Sequence, residues 1–311
     1  MALRQLGKSG LETPRLVLGG NVFGFTVKGA EAFRILDRFA EAGGTMIDTA
    51  DVYSKWVPGH VGGESETLLG EWLERRGGQK GVLIATKVGF DAGLAAAEIE
   101  RAAEGSLRRL GIETIDLYYA HKDDSATPLE ETLAAFDRLV RAGKVRALGA
   151  SNYDAGRLAE ALDVSAREGL ARFEALQPEY NLMVRDGFEG PLQRLCIDRG
   201  LGVLPYFGLA SGFLTGKYRS AADKAKSVRG SRMDAYLNER GFRVLAALDA
   251  VAAEAGATPA QVALAWLAAQ PGITAPIASA TSLEQLEELL GVLTLELSAA
   301  QLETLNAASG G

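Results

Sequence analysis

Residues 114–151 read TIDLYYAHKDDSATPLEETLAAFDRLVRAGKVRALGAS, and this stretch carries one complete structural unit. Thr114 to His121 is a β-prone run. Leu129, Leu133, Phe136 and Val140 then recur at helical spacing, which puts apolar side chains on one face. Thr127-Pro128-Leu129-Glu130 supplies a helix start, with Thr127 as the expected cap, proline in the first turn and Glu130 able to reach back. Gly143 marks the helix end, and Val145 to Ser151 is β-prone again. Strand, helix and strand in this order predict a right-handed βαβ unit with parallel strands.

Working outward, the unit repeats. β-prone runs also cover Leu16 to Gly20, Thr45 to Ala50, Val82 to Val88, Phe173 to Tyr180, Leu201 to Leu209 and Ile273 to Ser279. Their spacing is about 30 residues, except for a longer interval before the last. A second helix start stands at Thr258-Pro259-Ala260-Gln261, and Gly43, Gly77, Gly111, Gly169 and Gly200 fall where helices should close. Eight such units predict an α/β fold, a closed (β/α)8 TIM barrel forming one domain over residues 1–311. Leu3 to Leu16, around Gly7-Lys8-Ser9-Gly10, reads as a β-hairpin plugging one end. The long interval holds a loop from Ala210 to Asp234 and two helical segments, and Ser298 to Leu305 reads as a further C-terminal helix.

Composition narrows the function. The chain has 33 basic and 40 acidic residues, a net charge of -7, which argues against a dedicated nucleic-acid binder. Two histidines, His60 and His121, and one cysteine leave no set of imidazole or thiolate ligands for a metal, so no metal is expected. Cys196 reads as a small buried apolar residue. The apolar run Val262 to Ala269 is far shorter than the roughly 20 residues that span a bilayer, so no membrane is expected. Arg4, Gln5 and Lys8 interrupt any secretory leader, which makes the cytoplasm the expected location.

In a barrel of this class the active site lies at the carboxyl ends of the strands. Asp48, Lys87 and His121 end the second, third and fourth predicted strands, and Tyr53 follows Asp48 by five residues. All four should converge at one mouth. A tyrosine with a pKa near 10 is a poor acid at neutrality, but an adjacent ammonium favours its ionised form, so Lys87 is expected to lower it. Asp48 would keep Lys87 protonated, and an N–H of His121 would hold a carbonyl oxygen beside the Tyr53 hydroxyl. These types in this placement suit reduction of a carbonyl. No Gly-x-Gly-x-x-Gly follows a strand, so a Rossmann-type dinucleotide site is not expected.

The sequence resembles the aldo-keto reductase superfamily over nearly its whole length. The resemblance rests on Gly44-Thr45-Met46-Ile47-Asp48-Thr49-Ala50-Asp51-Val52-Tyr53, Ile84-Ala85-Thr86-Lys87, Asp116-Leu117-Tyr118-Tyr119-Ala120-His121 and Gly149-Ala150-Ser151-Asn152. Gln177-Pro178-Glu179-Tyr180-Asn181, Pro205-Tyr206-Phe207-Gly208-Leu209-Ala210 and Gly212-Phe213-Leu214-Thr215-Gly216-Lys217-Tyr218 extend it. It implies a (β/α)8 barrel that binds NADPH or NADH and reduces an aldehyde or ketone, a small-molecule carbonyl substrate. It further implies that Tyr53 is the general acid, tuned by Lys87 and Asp48, with His121 orienting the carbonyl. Ser151, Asn152 and Gln177 would bond the nicotinamide carboxamide, and the Tyr206 ring would stack on it. Gly208, Leu209, Ser211, Gly212 and Lys217 belong to the implied cofactor set, as do Ser279, Thr281, Ser282 and Gln285.

Members of this superfamily often hold the 2'-phosphate of NADPH with an arginine after the last strand, where this chain has Ser282. A hydroxyl discriminates poorly, so NADPH and NADH both remain. Ser282 could instead cap the following helix. The Ala210 to Asp234 loop carries Lys217, Arg219, Lys224, Lys226, Arg229 and Arg232 against Asp223 and Asp234, a local charge of 6 - 2 = +4, leaving -7 - 4 = -11 elsewhere. It reads either as a solvated loop or as an electrostatic lid over the dinucleotide phosphates. Val22, Phe23, Trp56, Val57 and Phe90 are candidates for an apolar substrate wall, and His60 reads as solvent-facing in a flexible turn. An alternative to an enzyme is a cofactor-binding regulatory subunit of slow turnover, as in potassium-channel β subunits.

Overall fold

The computed structural model describes residues 2–226 and 230–310. A two-stranded antiparallel hairpin, β1 (Arg4–Gln5) and β2 (Glu12–Thr13), precedes the first of eight parallel strands. These are β3 (Val17–Gly19), β4 (Met46–Asp48), β5 (Leu83–Val88), β6 (Ile115–Ala120), β7 (Val145–Ser151), β8 (Phe173–Gln177), β9 (Gly202–Val203) and β10 (Ile277–Ala278). Every predicted strand is present, each neighbour follows in chain order, and β10 pairs with β3. The residues before β10 also reach β9: Thr274 N donates to Val203 O at 2.9 Å and Ile277 N to Pro205 O at 2.9 Å. The sheet thus closes on itself as a (β/α)8 TIM barrel.

Helices α1 (Gly29–Glu41), α2 (Glu64–Arg75), α3 (Ala96–Leu110), α4 (Leu129–Arg141), α5 (Ala155–Glu168) and α6 (Pro191–Arg199) follow the first six barrel strands. The long interval holds α7 (Glu239–Ala255) and α8 (Pro259–Ala269), and α9 (Leu283–Leu290) and α10 (Ala299–Ser309) complete the chain. Of the apolar stripe read in the sequence, α4 buries Leu129, Leu133 and Phe136 and packs Val140 partly buried against the same core, with Leu139 also inside. Each such side chain contributes about 1.5–3 kcal/mol on burial. The Thr258–Gln261 capping box forms as anticipated. Thr127 differs: the residue flanking α4 is Pro128, and the Thr127 hydroxyl donates to Asp124 Oδ2 at 2.7 Å instead. Asp124 is a charged acceptor that also takes the backbone N–H groups of Leu94 and Ala126, so Thr127 belongs to the turn around Asp124.

Alternation sorts side chains into two layers. On β6, Leu117 and Tyr119 point into the barrel while Tyr118 points out against Phe136, their rings 5.6 Å apart. The inner layer joins Val17, Met46, Ala85, Ala147 and Ala175 to Leu6 and Leu11 of the hairpin, so the hairpin plugs the barrel. Small residues face large ones there. A Cβ on Gly149 would sit 2.3 Å from the Tyr119 ring, so only glycine fits beside it. At the turn of the hairpin, Gly7 adopts φ +57° and presses its backbone on Glu174 O and Gly202 N, at the amino ends of β8 and β9. The opposite end is left open.

Cys196 is buried in α6, as anticipated, and burial pushes its thiol up to about 12. The Ala210 to Asp234 interval is not one open loop but carries short 3-10 helices, Ala210–Thr215, Ala221–Lys226 and Gly230–Ala235. Arg229 lies outside the described residues, as does the side chain of Lys226. Among the described residues no helix is long and apolar enough to cross a membrane, and no group of His, Cys, Asp and Glu is arranged to hold a metal ion.

Candidate active site

Because all eight strands run parallel, their polar end residues meet at the open end of the barrel. Lys87 is wholly buried, and its three N–H groups have three acceptors: Asp48 Oδ2 at 2.7 Å, the Thr49 carbonyl at 2.7 Å and the Tyr53 hydroxyl oxygen at 3.0 Å. Asp48, itself buried, accepts from Gln177 Nε2 at 2.8 Å on its other oxygen. The Tyr53 hydroxyl is 3.5 Å from Asp48 Oδ2, at the outer limit of a hydrogen bond. Its oxygen already accepts from Lys87, so its own proton can be turned toward the cleft.

The electrostatics depart from the expectation for Tyr53. Burial, reinforced by Asp48, holds its phenol well above the ordinary tyrosine value. Burial and the Asp48 charge together outweigh the Lys87 ammonium, so the net direction is upward. Burial likewise lowers the Lys87 value, with Asp48 opposing the loss of its proton. His121, directly after β6, is buried, and burial with Lys87 and Lys122 nearby holds it down to about 2, so the imidazole is neutral. Its Nδ1 has no hydrogen-bond partner among the described residues. The Phe90 ring lies 4.9 Å and the Tyr53 ring 6.1 Å from it, centre to centre.

Asn152 links the next two strand ends. It takes up φ +57°, a conformation that asparagine tolerates better than most residues. Its Nδ2 donates to His121 O at 2.9 Å and to Ser151 Oγ at 3.1 Å, and its Oδ1 accepts from the Tyr206 hydroxyl at 2.7 Å. Ser151 Oγ donates to Gln177 O at 2.9 Å. The carboxamide, hydroxyl and ring that the sequence grouped together are therefore one bonded array.

A cleft of about 1010 Å³ runs from this array along the strand ends. Its wall includes Asp48, Tyr53, His121, Ser151, Asn152, Gln177, Tyr206, Gly208, Leu209, Ser211, Gly212, Lys217, Ser279, Thr281 and Gln285, together with Val22, Trp56 and Phe90. Lys87 lies beneath the wall, on Asp48 and Tyr53. Three candidates are elsewhere. Phe23 is fully buried in the packing around α1 and α2, its carbonyl held by Ser54, and Val57 does not reach the cleft. Ser282 caps α9, its hydroxyl accepting from Gln285 N at 3.3 Å, rather than lining the cleft. His60 is half-buried beside Glu64, with Nδ1 4.0 Å from its carboxylate.

The described loop cations differ in their surroundings. Arg219 forms a bidentate pair with Asp249 at 2.8 Å, and Lys224 pairs with Asp234 at 2.6 Å, so their charge is balanced locally. Lys217 and Arg232 line the cleft, Arg232 lying 5.6 Å over the Phe207 ring. Asn21, Phe25 and Glu288 on the wall were not singled out in the sequence, and Arg232 was named there only as one of the loop cations. Asn21 follows β3 and accepts from Ser279 Oγ at 2.8 Å, so the strand-end rule applied to the first strand would have found it. Glu288 stands one helical turn beyond Gln285, on the same face of α9.

Comparison with known proteins gives a family. Residues 15–309 match the family model described as the aldo/keto reductase family. The chain is 34% identical over 319 residues to an uncharacterised oxidoreductase of Bacillus subtilis, YrpG, covering 98% of this chain and 95% of that protein. It is 32% identical over 301 residues to a probable voltage-gated potassium channel subunit beta of Arabidopsis thaliana, covering 93% and 90%. It is 30% identical over 292 residues to the aldo-keto reductase yakc [NADP(+)] of Schizosaccharomyces pombe, covering 88% and 81%.

Proposed function

The chain belongs to the aldo/keto reductase family, and on that premise we propose that it reduces an aldehyde or ketone to the alcohol with NADPH or NADH, taking the proton from Tyr53. The observation that carries this reading is the third N–H of Lys87, donated to the Tyr53 oxygen at the floor of the cleft. A phenol held this way keeps its proton at neutral pH and presents it to the one open direction.

The cleft fits a dinucleotide on the chemistry of its donors. At one end, Ser151, Asn152 and Gln177 offer the hydrogen-bonding groups that a carboxamide needs, beside the Tyr206 ring as a stacking plane. At the other, Lys217 and Arg232 offer cations for phosphate, and Thr281 and Gln285 offer polar groups for ribose or adenine. When bound there, the dihydronicotinamide would supply the hydride.

The residues of the chain do the rest. Neutral His121 has an N–H to hold the carbonyl oxygen against the Tyr53 hydroxyl. As charge builds on that oxygen, Tyr53 gives up its proton, and the phenolate left behind meets the Lys87 ammonium. Asp48 keeps that ammonium in place. Trp56 and Phe90, 53% and 43% exposed, form the apolar entrance.

A panel of aldehydes and ketones with both cofactors, followed at the nicotinamide absorbance, tests the reading; absence of oxidation with every substrate overturns it. The likeness to channel β subunits favours a second reading, a cofactor-binding regulatory subunit with slow turnover. Tight cofactor binding with slow turnover of every carbonyl would support that one.

A further inference from the structure

The chain after β9, which carries the Tyr206 ring, is strained. Phe207, Ala210 and Ser211 take up φ +55°, +47° and +57°, the left-handed region that residues other than glycine and asparagine avoid. Phe207 is the least expected of the three, since it is bulky and has no polar side-chain atom to bond its own backbone there. Phe207, Gly208, Leu209, Ser211 and Gly212 all line the cleft. The strain therefore lies in the wall against which the dinucleotide would rest.

Asn181, which follows β8, holds this turn from outside. Its side chain is wholly buried, and its Oδ1 accepts from Met183 N at 2.8 Å and from Val184 N at 3.0 Å. Those two N–H groups settle which way the amide faces, so Nδ2 is turned to the Phe207 carbonyl and donates to it at 3.0 Å. The anchor is itself tied down. Asn181 and Val184 exchange both backbone hydrogen bonds at 3.1 Å, and Arg240 of α7 donates to the Met183 carbonyl at 2.9 Å. Phe207 O also accepts from Ala210 N at 2.7 Å, but that bond lies within the turn and moves with it. On the near side, Tyr206 N donates to Pro178 O at 3.0 Å and the Tyr206 hydroxyl to Asn152.

We propose that Asn181 is a positioning residue for the dinucleotide, acting through Phe207: its amide pins the Phe207 carbonyl and keeps the 206–212 turn in its strained, binding shape before the cofactor arrives. This rests on the reading of the cleft as a dinucleotide site. A turn free to relax would hold the binding shape for only a fraction of the time, and the apparent affinity falls by that fraction. The pin matters only while residue 207 is costly to keep at positive φ. Glycine adopts that conformation as readily as any other, so with glycine at 207 the dependence on Asn181 disappears.

Fluorescence titration of NADH and of NADPH into the unsubstituted protein, Asn181→Ser, Phe207→Gly and the double variant tests it. Serine keeps an oxygen for the Met183 and Val184 N–H groups but is too short to reach Phe207. Asn181→Ser should weaken both cofactors about tenfold, the effect of one hydrogen bond. The same substitution in the Phe207→Gly protein should weaken them by less than about twofold. An unchanged affinity in folded Asn181→Ser overturns the proposal. So does an equal loss in both backgrounds, which is what a merely structural role would give. Should Asn181→Ser fail to fold, hydrogen exchange at the Ala210 amide of the cofactor-free protein decides: the proposal requires it to be slowed about a hundredfold or more relative to an open chain, and anything less overturns it. Absence of NADH and NADPH binding in the unsubstituted protein removes the dinucleotide reading and the proposal with it, whereas normal binding there with any of the failures above overturns the proposal alone.

Discussion

The Lys87 ammonium donates to the Tyr53 hydroxyl oxygen across 3.0 Å while also bonding Asp48 and the Thr49 carbonyl, so no N–H of this buried lysine lacks a partner. The lysine is therefore a fixed charge. It orients the phenol in the resting protein and is already in place when that phenol loses its proton.

Tyr53→Phe removes the hydroxyl and little else. Carbonyl reduction should fall by about 10²- to 10⁴-fold, the usual contribution of a positioned acid. Nicotinamide affinity, measured by fluorescence titration, should stay within a few-fold. Undiminished turnover would rule out the tyrosine as donor.

Lys87→Met should abolish turnover and also destabilise the protein, because Asp48 is left buried without its cation. Breaking one side of a buried pair costs roughly 3–5 kcal/mol. Adding Asp48→Asn should recover much of the loss in urea unfolding without recovering activity. Equal stability of the single and double variants would show that the pair is not coupled.

Lys217→Ala and Arg232→Ala should each weaken dinucleotide binding by about tenfold, the effect of one charge-assisted hydrogen bond. Arg219→Ala and Lys224→Ala should change it little, since Asp249 and Asp234 already balance those charges. Equal effects at all four positions would favour a diffuse field over specific contacts.

Ser282 caps α9 and does not line the cleft. Ser282→Ala should then cost about 1 kcal/mol of stability through the lost cap. The ratio of NADPH to NADH affinities should not change. A ratio that shifts severalfold would return Ser282 to the cofactor site.

His121 and Asp51 give stability opposite dependences on pH. The folded His121 value, about 2, lies below its ordinary 6.5, so its contribution is present above pH 6.5 and is lost as pH falls. The folded Asp51 value, about 7, lies above its ordinary 3.8, so its contribution is present below pH 3.8 and is lost as pH rises through 7. His121→Phe should therefore remove a loss of up to about 1.4 kcal/mol per pH unit below 6.5, read as a flatter urea-unfolding stability between pH 6.5 and 5. An unchanged slope would mean that His121 protonates freely in the fold.

The barrel was legible because period and punctuation agree: eight apolar runs, with glycines where helices close. The convergence of Asp48, Tyr53, Lys87 and His121 was legible because they stand at the ends of those runs, or five residues beyond. What escaped depends on neighbours remote in sequence. Thr127 was taken by Asp124, Phe23 was drawn into packing between helices, and Ser282 served its own helix. The Tyr53 environment was misjudged in sign because the spacing showed that Lys87 and Asp48 would approach but not how deeply the fold would bury the phenol beside that carboxylate. Arg232 could not be separated from the other loop cations until their acidic partners were placed.

The hairpin of residues 4–13 depends on the far part of the chain. Arg4 donates to the Ala268 carbonyl at 2.8 Å, and Gly7 sits on Gly202. Contacts of such sequence separation form late, since loop closure must precede them. A segment synthesised early must therefore wait for the last strands before it has anywhere to dock. Protection of its backbone from hydrogen exchange would report completion of the ring, a natural clock for the end of assembly.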